Sequence, residues 1–265
     1  MRLEIEQSLV VGGANVEAIG SPTTTFKSDV ISEITASTPT LVVERLTSIT
    51  LMSGTTEKDT VTFSSISIST LSESEKKVVI TATGSFTPGS SYTADKVRIK
   101  TATGRVYFET SITPVNITAG VPVTVTWELT MTISRGTRSG WCAQAYDLLC
   151  VGSADIYRFL HTLAVALTSD RSTFPVSPSL TITDFVAVNV SAESMLSNVT
   201  LNKTYSGTTV SITASGIVKT GLTDYTLYTA SLKEGRGGNH LFLWQYVNLS
   251  VQPNDVVQLN FSITL

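Results

Sequence analysis

Val121, Val123, Val125, Trp127, Leu129, Met131 and Ile133 alternate with Pro122, Thr124, Thr126, Glu128, Thr130 and Thr132. Successive side chains of a strand point to opposite faces, so this period of two predicts a strand with one face buried. Val257, Leu259, Phe261, Ile263 and Leu265 repeat the pattern near the other end, with Gln258, Asn260, Ser262 and Thr264 between them. Threonine suits the outer rows because its branched side chain fits a pleated surface. The same reading predicts strands over 3–11, 41–51, 61–69, 77–82, 96–100 and 105–112. It continues with 179–190, 209–214, 225–232 and 241–247. Short strands punctuated by Gly and Pro predict antiparallel sandwiches or barrels.

Segments of the chain also recur. Val78-Val-Ile-Thr-Ala-Thr-Gly84 returns as Val210-Ser-Ile-Thr-Ala-Ser-Gly216. At the same displacement, Val115-Asn-Ile-Thr118 matches Val247-Asn-Leu-Ser250, and Thr130-Met-Thr-Ile133 matches Ser262-Ile-Thr-Leu265. Upstream, Ser8-Leu-Val-Val-Gly-Gly-Ala-Asn-Val16 resembles Leu148-Leu-Cys-Val-Gly-Ser-Ala-Asp-Ile156 at a different displacement. Loops absorb such insertions while strands keep their order. We read residues 1–136 and 137–265 as two copies of one β-sandwich domain.

One helix is expected, in the second copy. Ser153 is its candidate cap, Asp155 lies in its first turn, and Ile156, Phe159, Leu160, Leu163 and Leu167 form one apolar stripe. The first copy offers only a shortened counterpart at Ala14–Ile19, stopped by Gly20 and Pro22.

Little of the chain is equipped for chemistry. His161 and His240 have no second His or Cys at ligand spacing, and carboxylates such as Glu57, Asp59, Glu73 and Glu75 read as surface or turn charges. We therefore expect no catalytic residues, no metal, no cofactor and no enzymatic activity. Cys142 and Cys150 read as small buried hydrophobes rather than a bridge. The first seven residues lack the apolar stretch of a signal peptide, and no run approaches a membrane span. Synthesis in the cytoplasm is the expectation. Six asparagines (Asn116, Asn189, Asn198, Asn202, Asn248 and Asn260) begin Asn-x-Ser/Thr triplets, a mild excess given the hydroxyl content.

Glu234-Gly-Arg-Gly-Gly-Asn-His240 lacks the ending of a phosphate loop and reads as a hairpin tip, as does Thr101-Ala-Thr-Gly-Arg105. Arg105 and Arg236 would then project from corresponding tips and are the candidate subunit contacts.

Only 15% of residues are charged, the net charge is −3, and 42 Thr and 33 Ser take the place of charges. This excludes a basic nucleic-acid wrapper. It suits surfaces covered by neighbours, since few charges must be desolvated. With its strand pattern, duplication and composition, the chain resembles the β-sandwich structural proteins of icosahedral viruses. These include capsid and turret components of archaeal and thermophilic viruses built from tandem jelly rolls. The resemblance implies an all-β fold of two jelly-roll-like domains in a capsid, vertex or turret protein. It also implies a place in the virion, with other copies of the chain and other virion proteins as partners. Sequence-specific nucleic acid and membrane spans are not expected. The alternatives are a tail-tube or tail-fibre component, in which three duplicated chains make pseudo-sixfold rings, or a non-viral carbohydrate-binding or adhesion module.

Overall fold

The row of Trp127 is buried as its alternation requires. Val123, Val125, Trp127, Leu129, Met131 and Ile133 are each at most 7% exposed, while Val121, before the strand begins, is 50% exposed. The structure, a computed structural model, describes residues 2–72, 75–134, 158–175, 178–188, 195–219, 225–234 and 241–265.

The fold is an all-β sandwich of mostly antiparallel strands, with two α-helices among the described residues. The widest sheet runs β12 (Leu196–Ser206), β13 (Thr209–Val218), β16 (Val256–Thr264), β1 (Arg2–Val11), β10 (Val123–Ser134), β7 (Lys77–Phe86) and β6 (Ser65–Ser72). A short β2 (Ala14–Val16) folds back on β1 as its eighth strand. A five-stranded sheet runs β3 (Ala18–Pro22), β9 (Val106–Ile117), β8 (Tyr92–Thr101), β4 (Leu46–Ser53) and β5 (Thr56–Thr62). A three-stranded sheet runs β11 (Ile182–Val188), β14 (Tyr225–Glu234) and β15 (Leu241–Val251). These two smaller sheets pack on the inner face of the wide one, β5 against β7 and β11 against β12 and β13.

The wide sheet crosses the boundary between residues 1–136 and 137–265 at β1 and β16, which run parallel where Arg2 meets Thr264. Since β10 is antiparallel to β1, β10 and β16 point in opposite directions. Pairing at the centre of the two parts coincides. All nine partners between β13 and β16 become partners between β7 and β10 when 132 is subtracted from both. The ladder of β8 with β9 is irregular at Ala94/Lys96 and Ile99/Lys100. That of β14 with β15 is irregular at Leu227/Thr229 and Leu232/Lys233, each 133 positions on. The glycines closing the repeated heptad also share a constraint. A Cβ on Gly84 would lie 2.8 Å from the Thr62 carbonyl oxygen, and one on Gly216 would lie 3.0 Å from Leu196.

The first part does contain a helix, α1 (Thr24–Thr35), and not at Ala14–Ile19 as expected. Gly12 and Gly13 both hold positive φ, which turns the chain tightly enough for β2 to pair with β1. Gly20 then lets β3 lie against β9, where a Cβ would fall 2.5 Å from Thr110 Oγ1. Only after Pro22 does Thr23 cap a helix, its Oγ1 accepting from the Phe26 N–H at 3.3 Å. The second helix, α2 (Arg158–Thr168), buries Phe159, Leu160, Leu163 and Leu167 completely, as the stripe predicted. Ser153, Asp155 and Ile156, like Cys142 and Cys150, lie outside the described residues. Other differences are smaller. The 41–51 strand starts at Leu46, the 61–69 strand is split between β5 and β6, and β12 was not foreseen.

The helices interlock the parts: α1 packs against β9 and β12, and α2 against β15, β6, β7 and β10. Between them lies a buried ion pair. Arg171, in a 3-10 turn after α2, donates Nη1 to Glu33 Oε1 at 2.5 Å and Nη2 to Oε2 at 2.9 Å. Glu33 is 0% exposed and also accepts the N–H groups of Val42, Val43 and Leu180. Arg171 further donates to the carbonyls of Val43 and Pro178. A buried charge pair is tolerated only when its remaining hydrogen-bonding capacity is met in this way.

Candidate functional site

Among the described residues, polar and exposed side chains gather at a hairpin tip, an ion-pair ladder, a hydroxyl-rich sheet face and two sheet edges. The tip joins β8 to β9 at Thr101-Ala-Thr-Gly-Arg105, the hairpin expected from sequence. Gly104 holds φ +83°, and the Thr101 N–H donates to the Arg105 carbonyl at 2.9 Å. Arg105 sits beside this turn but bends back into the molecule. Its Nη2 donates to Asp29 Oδ1 of α1 at 2.6 Å, and its Nη1 lies 3.6 Å from Glu44. Tyr107 donates its hydroxyl to Asp29 Oδ2 at 2.7 Å and accepts from the Glu44 N–H. Thr103 donates to the Glu44 carboxylate. The other candidate contact, Arg236, lies outside the described residues, as does the 235–240 loop.

The electrostatics of the tip are those of a clamp. Burial raises the Tyr107 phenol well above its ordinary value, and its bond to Asp29 adds to the shift, so it stays a donor. Burial pushes Glu44 upward, but bonds from Thr101 and Thr103 and the charge of Arg105 outweigh it and hold Glu44 below 4.5. A depressed carboxylate stabilises the fold above its unfolded pKa, and that contribution disappears as pH falls through the folded value. Arg105→Ala should therefore cost about 1–3 kcal/mol by leaving Asp29 short of a charged donor. Acid titration followed by circular dichroism should show the variant losing less stability than wild type below pH 4.5. Equal acid sensitivity would detach Arg105 from this network.

The ladder lies on the five-stranded sheet. Lys96, Arg98 and Lys100 alternate on β8, with Glu109 on β9 and Glu57 on β5 between them. Arg98 Nε donates to Glu109 at 2.6 Å, Lys96 reaches Glu109 at 3.2 Å, and Lys100 reaches Glu57 at 2.9 Å. Hydrogen bonds from Lys100 and Arg98 keep Glu57 low, and one from Arg98 outweighs burial to keep Glu109 low. Exposed pairs contribute little each. Here their carboxylates are already neutralised and their cations already occupied.

The outer face of the wide sheet carries hydroxyl pairs across neighbouring strands. Ser85 meets Thr124 at 3.0 Å, Thr200 meets Ser215 at 2.7 Å, and Thr213 donates to Asn260 at 3.0 Å. Glu128 stands among them, accepting from Ser8 and from Thr81. The two ends of this sheet are the edge strands β6 and β12, where Leu71 is 54% and Tyr205 67% exposed. Leu71 pairs with Val78 and Tyr205 with Val210, which are 132 positions apart.

Sequence reasoning missed Asp29, Glu33, Tyr107 and Arg171. A signal for the acids exists: Asp29 and Glu33 are four apart beside Phe26, Val30 and Ile34, a spacing that sets them on one helix face. Among the described residues, no group of three or more His, Cys, Asp or Glu is placed to hold a metal ion. No helix among them is long and apolar enough to cross a membrane. No protein-family model, curated protein or solved structure matches the chain.

Proposed function

We propose that the chain is a structural component of a virus particle, a capsid, vertex or turret protein packing against copies of itself and other virion proteins. It would be made in the host cytoplasm and act without catalytic centre or cofactor. The carrying observation is the wide sheet itself, whose outer strand β6 is eight residues long with no charge and no proline. Isolated soluble proteins usually blunt such an edge with charges, prolines or a covering segment. Among the described residues no strand pairs with the outer edge of β6, and such an edge is suited to a neighbour.

The coincident pairings support reading the chain as two copies of one unit, fused and interlocked. The opposed directions of β10 and β16 then relate the copies by a two-fold rather than a rotary arrangement. A pseudo-sixfold tail ring sets corresponding strands in the same axial direction, so this geometry favours a shell or vertex over a tube. A carbohydrate-binding module would usually present a row of aromatics. Across the hydroxyl-rich face the described pairs are Ser, Thr and Asn instead.

Cryo-electron microscopy of the purified protein tests the proposal. Shells, patches or symmetric clusters burying at least about 1,000 Å² per contact are expected. A dispersed monomer at every concentration would overturn it.

A further inference from the structure

We infer that β6 is a self-complementary docking strand, and that its occupant is β6 of a second copy, paired antiparallel across a two-fold axis. This rests on the assembly reading above and names the contact that the assembly uses.

The two edges of the wide sheet occupy corresponding places but differ in what they turn inward. On β12 the inward row is Leu201, Lys203 and Tyr205; on β6 it is Ile66, Ile68 and Leu71. Ile68 pairs with Ile80, and Lys203 pairs with Ile212, its counterpart 132 positions on. Lys203 turns its ammonium under the sheet to the carbonyls of Ile34 and Ala36, at the end of α1, and of Ile182, at the start of β11. Both edges carry a bulge, but on β12 an inward-pointing charge guards against strand addition. β6 itself carries no charged residue.

The bulge of β6 is placed so that the strand matches itself. In a regular strand Ile66 and Leu71, five apart, would face opposite sides. The irregularity between Ile68 and Thr70 inserts Ser69, so both face inward, opposite Ala82 and Val78. Pair two copies about a dyad between Ile68 and Ser69, and Ile66 of each copy meets Leu71 of the other on the inner face. Ser67 then meets Thr70 on the outer face, where both are exposed. The contact covers the exposed Leu71, brings no like charges together, and continues the sheet from one molecule into the next. Isologous contacts of this kind require such self-complementarity.

The test places two lysines on the outer face of this strand, Ser67→Lys with Thr70→Lys, which puts ammonium opposite ammonium across the dyad. Sedimentation velocity over a dilution series should show self-association weakened about tenfold or more, since like charges directly opposite destabilise strand pairs. The matching change on β12, Asn202→Lys with Thr204→Lys, should leave it within about twofold. Hydrogen exchange on the wild-type protein is independent of any variant: β6 amides should slow as concentration rises. If the wild type assembles but its β6 amides stay unprotected, or both lysine pairs act alike, the docking strand falls and the assembly reading stands. If the wild type stays monomeric, both fall.

Discussion

Arg171→Met should cost about 3–5 kcal/mol, because it strands a carboxylate where no water reaches. For a chain of this size that lowers the thermal midpoint by roughly 6–20 °C. Glu33 has no exposed surface, and without Arg171 its charge would keep only the three backbone donors of Val42, Val43 and Leu180. Replacing a whole buried pair by apolar residues is often neutral or stabilising elsewhere. Here Glu33→Leu with Arg171→Met should remain well below wild type. It would orphan those three N–H groups and the carbonyls of Val43 and Pro178 as well. The pair also ties α1, from the first part, to the segment after α2. The damage should therefore spread to both parts in one transition, read as coincident near- and far-ultraviolet circular dichroism in urea. Two separated transitions, or a midpoint unchanged in Arg171→Met, would show that the pair does not couple them.

How far the sequence foretold this follows from what each signal depends on. The β10 and β16 rows were legible because alternation is local, and every second residue is apolar whatever the strand packs against. The stripe of α2 was legible for the same reason. In contrast, α1 is Thr-Thr-Phe-Lys-Ser-Asp-Val-Ile-Ser-Glu-Ile-Thr, rich in residues that form helices poorly. Two of its buried positions are acids whose partners come from 76 and 138 residues away. Strand β12 was hidden because Lys203 occupies an inward position, and its alternation makes sense only once the helix terminus beneath it is known. β5 was hidden by its charges: Glu57 faces the ion-pair ladder, and Val61 alone of its residues is fully buried. Arg105 was located at its turn by the Gly-Arg pair, yet its direction was not readable, since Asp29 belonged to the unforeseen helix. Among sites, then, the sequence revealed turns and rows. It did not reveal the long-range polar partners that hold them.

Trp127→Ala should cost about 3–5 kcal/mol, the range for a fully buried aromatic. Trp127 is 1% exposed at the junction of the wide sheet and the five-stranded sheet. Its ring stacks on Phe63 at 6.5 Å and tilts against Phe108 at 5.6 Å, and Phe108 meets Phe26 of α1 at 5.1 Å. One aromatic chain thus connects β10, β9 and the helix. The indole N–H donates to Gln7 Oε1, which also accepts from Thr110, so the same residue fixes β1 to β9. Trp127→Phe separates these contributions: it keeps the ring and drops the donor, and should cost nearer 1 kcal/mol beyond the lost area. Phe261 lies in the predicted inward row of β16, with Val257 and Ile263 buried on the same face. It is only partly buried, however, meeting Phe185 at 6.4 Å at the rim of the core. Phe261→Ala should accordingly cost about 1–2 kcal/mol, since only part of its area leaves water on folding. Denaturant midpoints of the three variants give the order directly. If Phe261→Ala proves as costly as Trp127→Ala, the second part is packed more tightly around β16 than this structure allows.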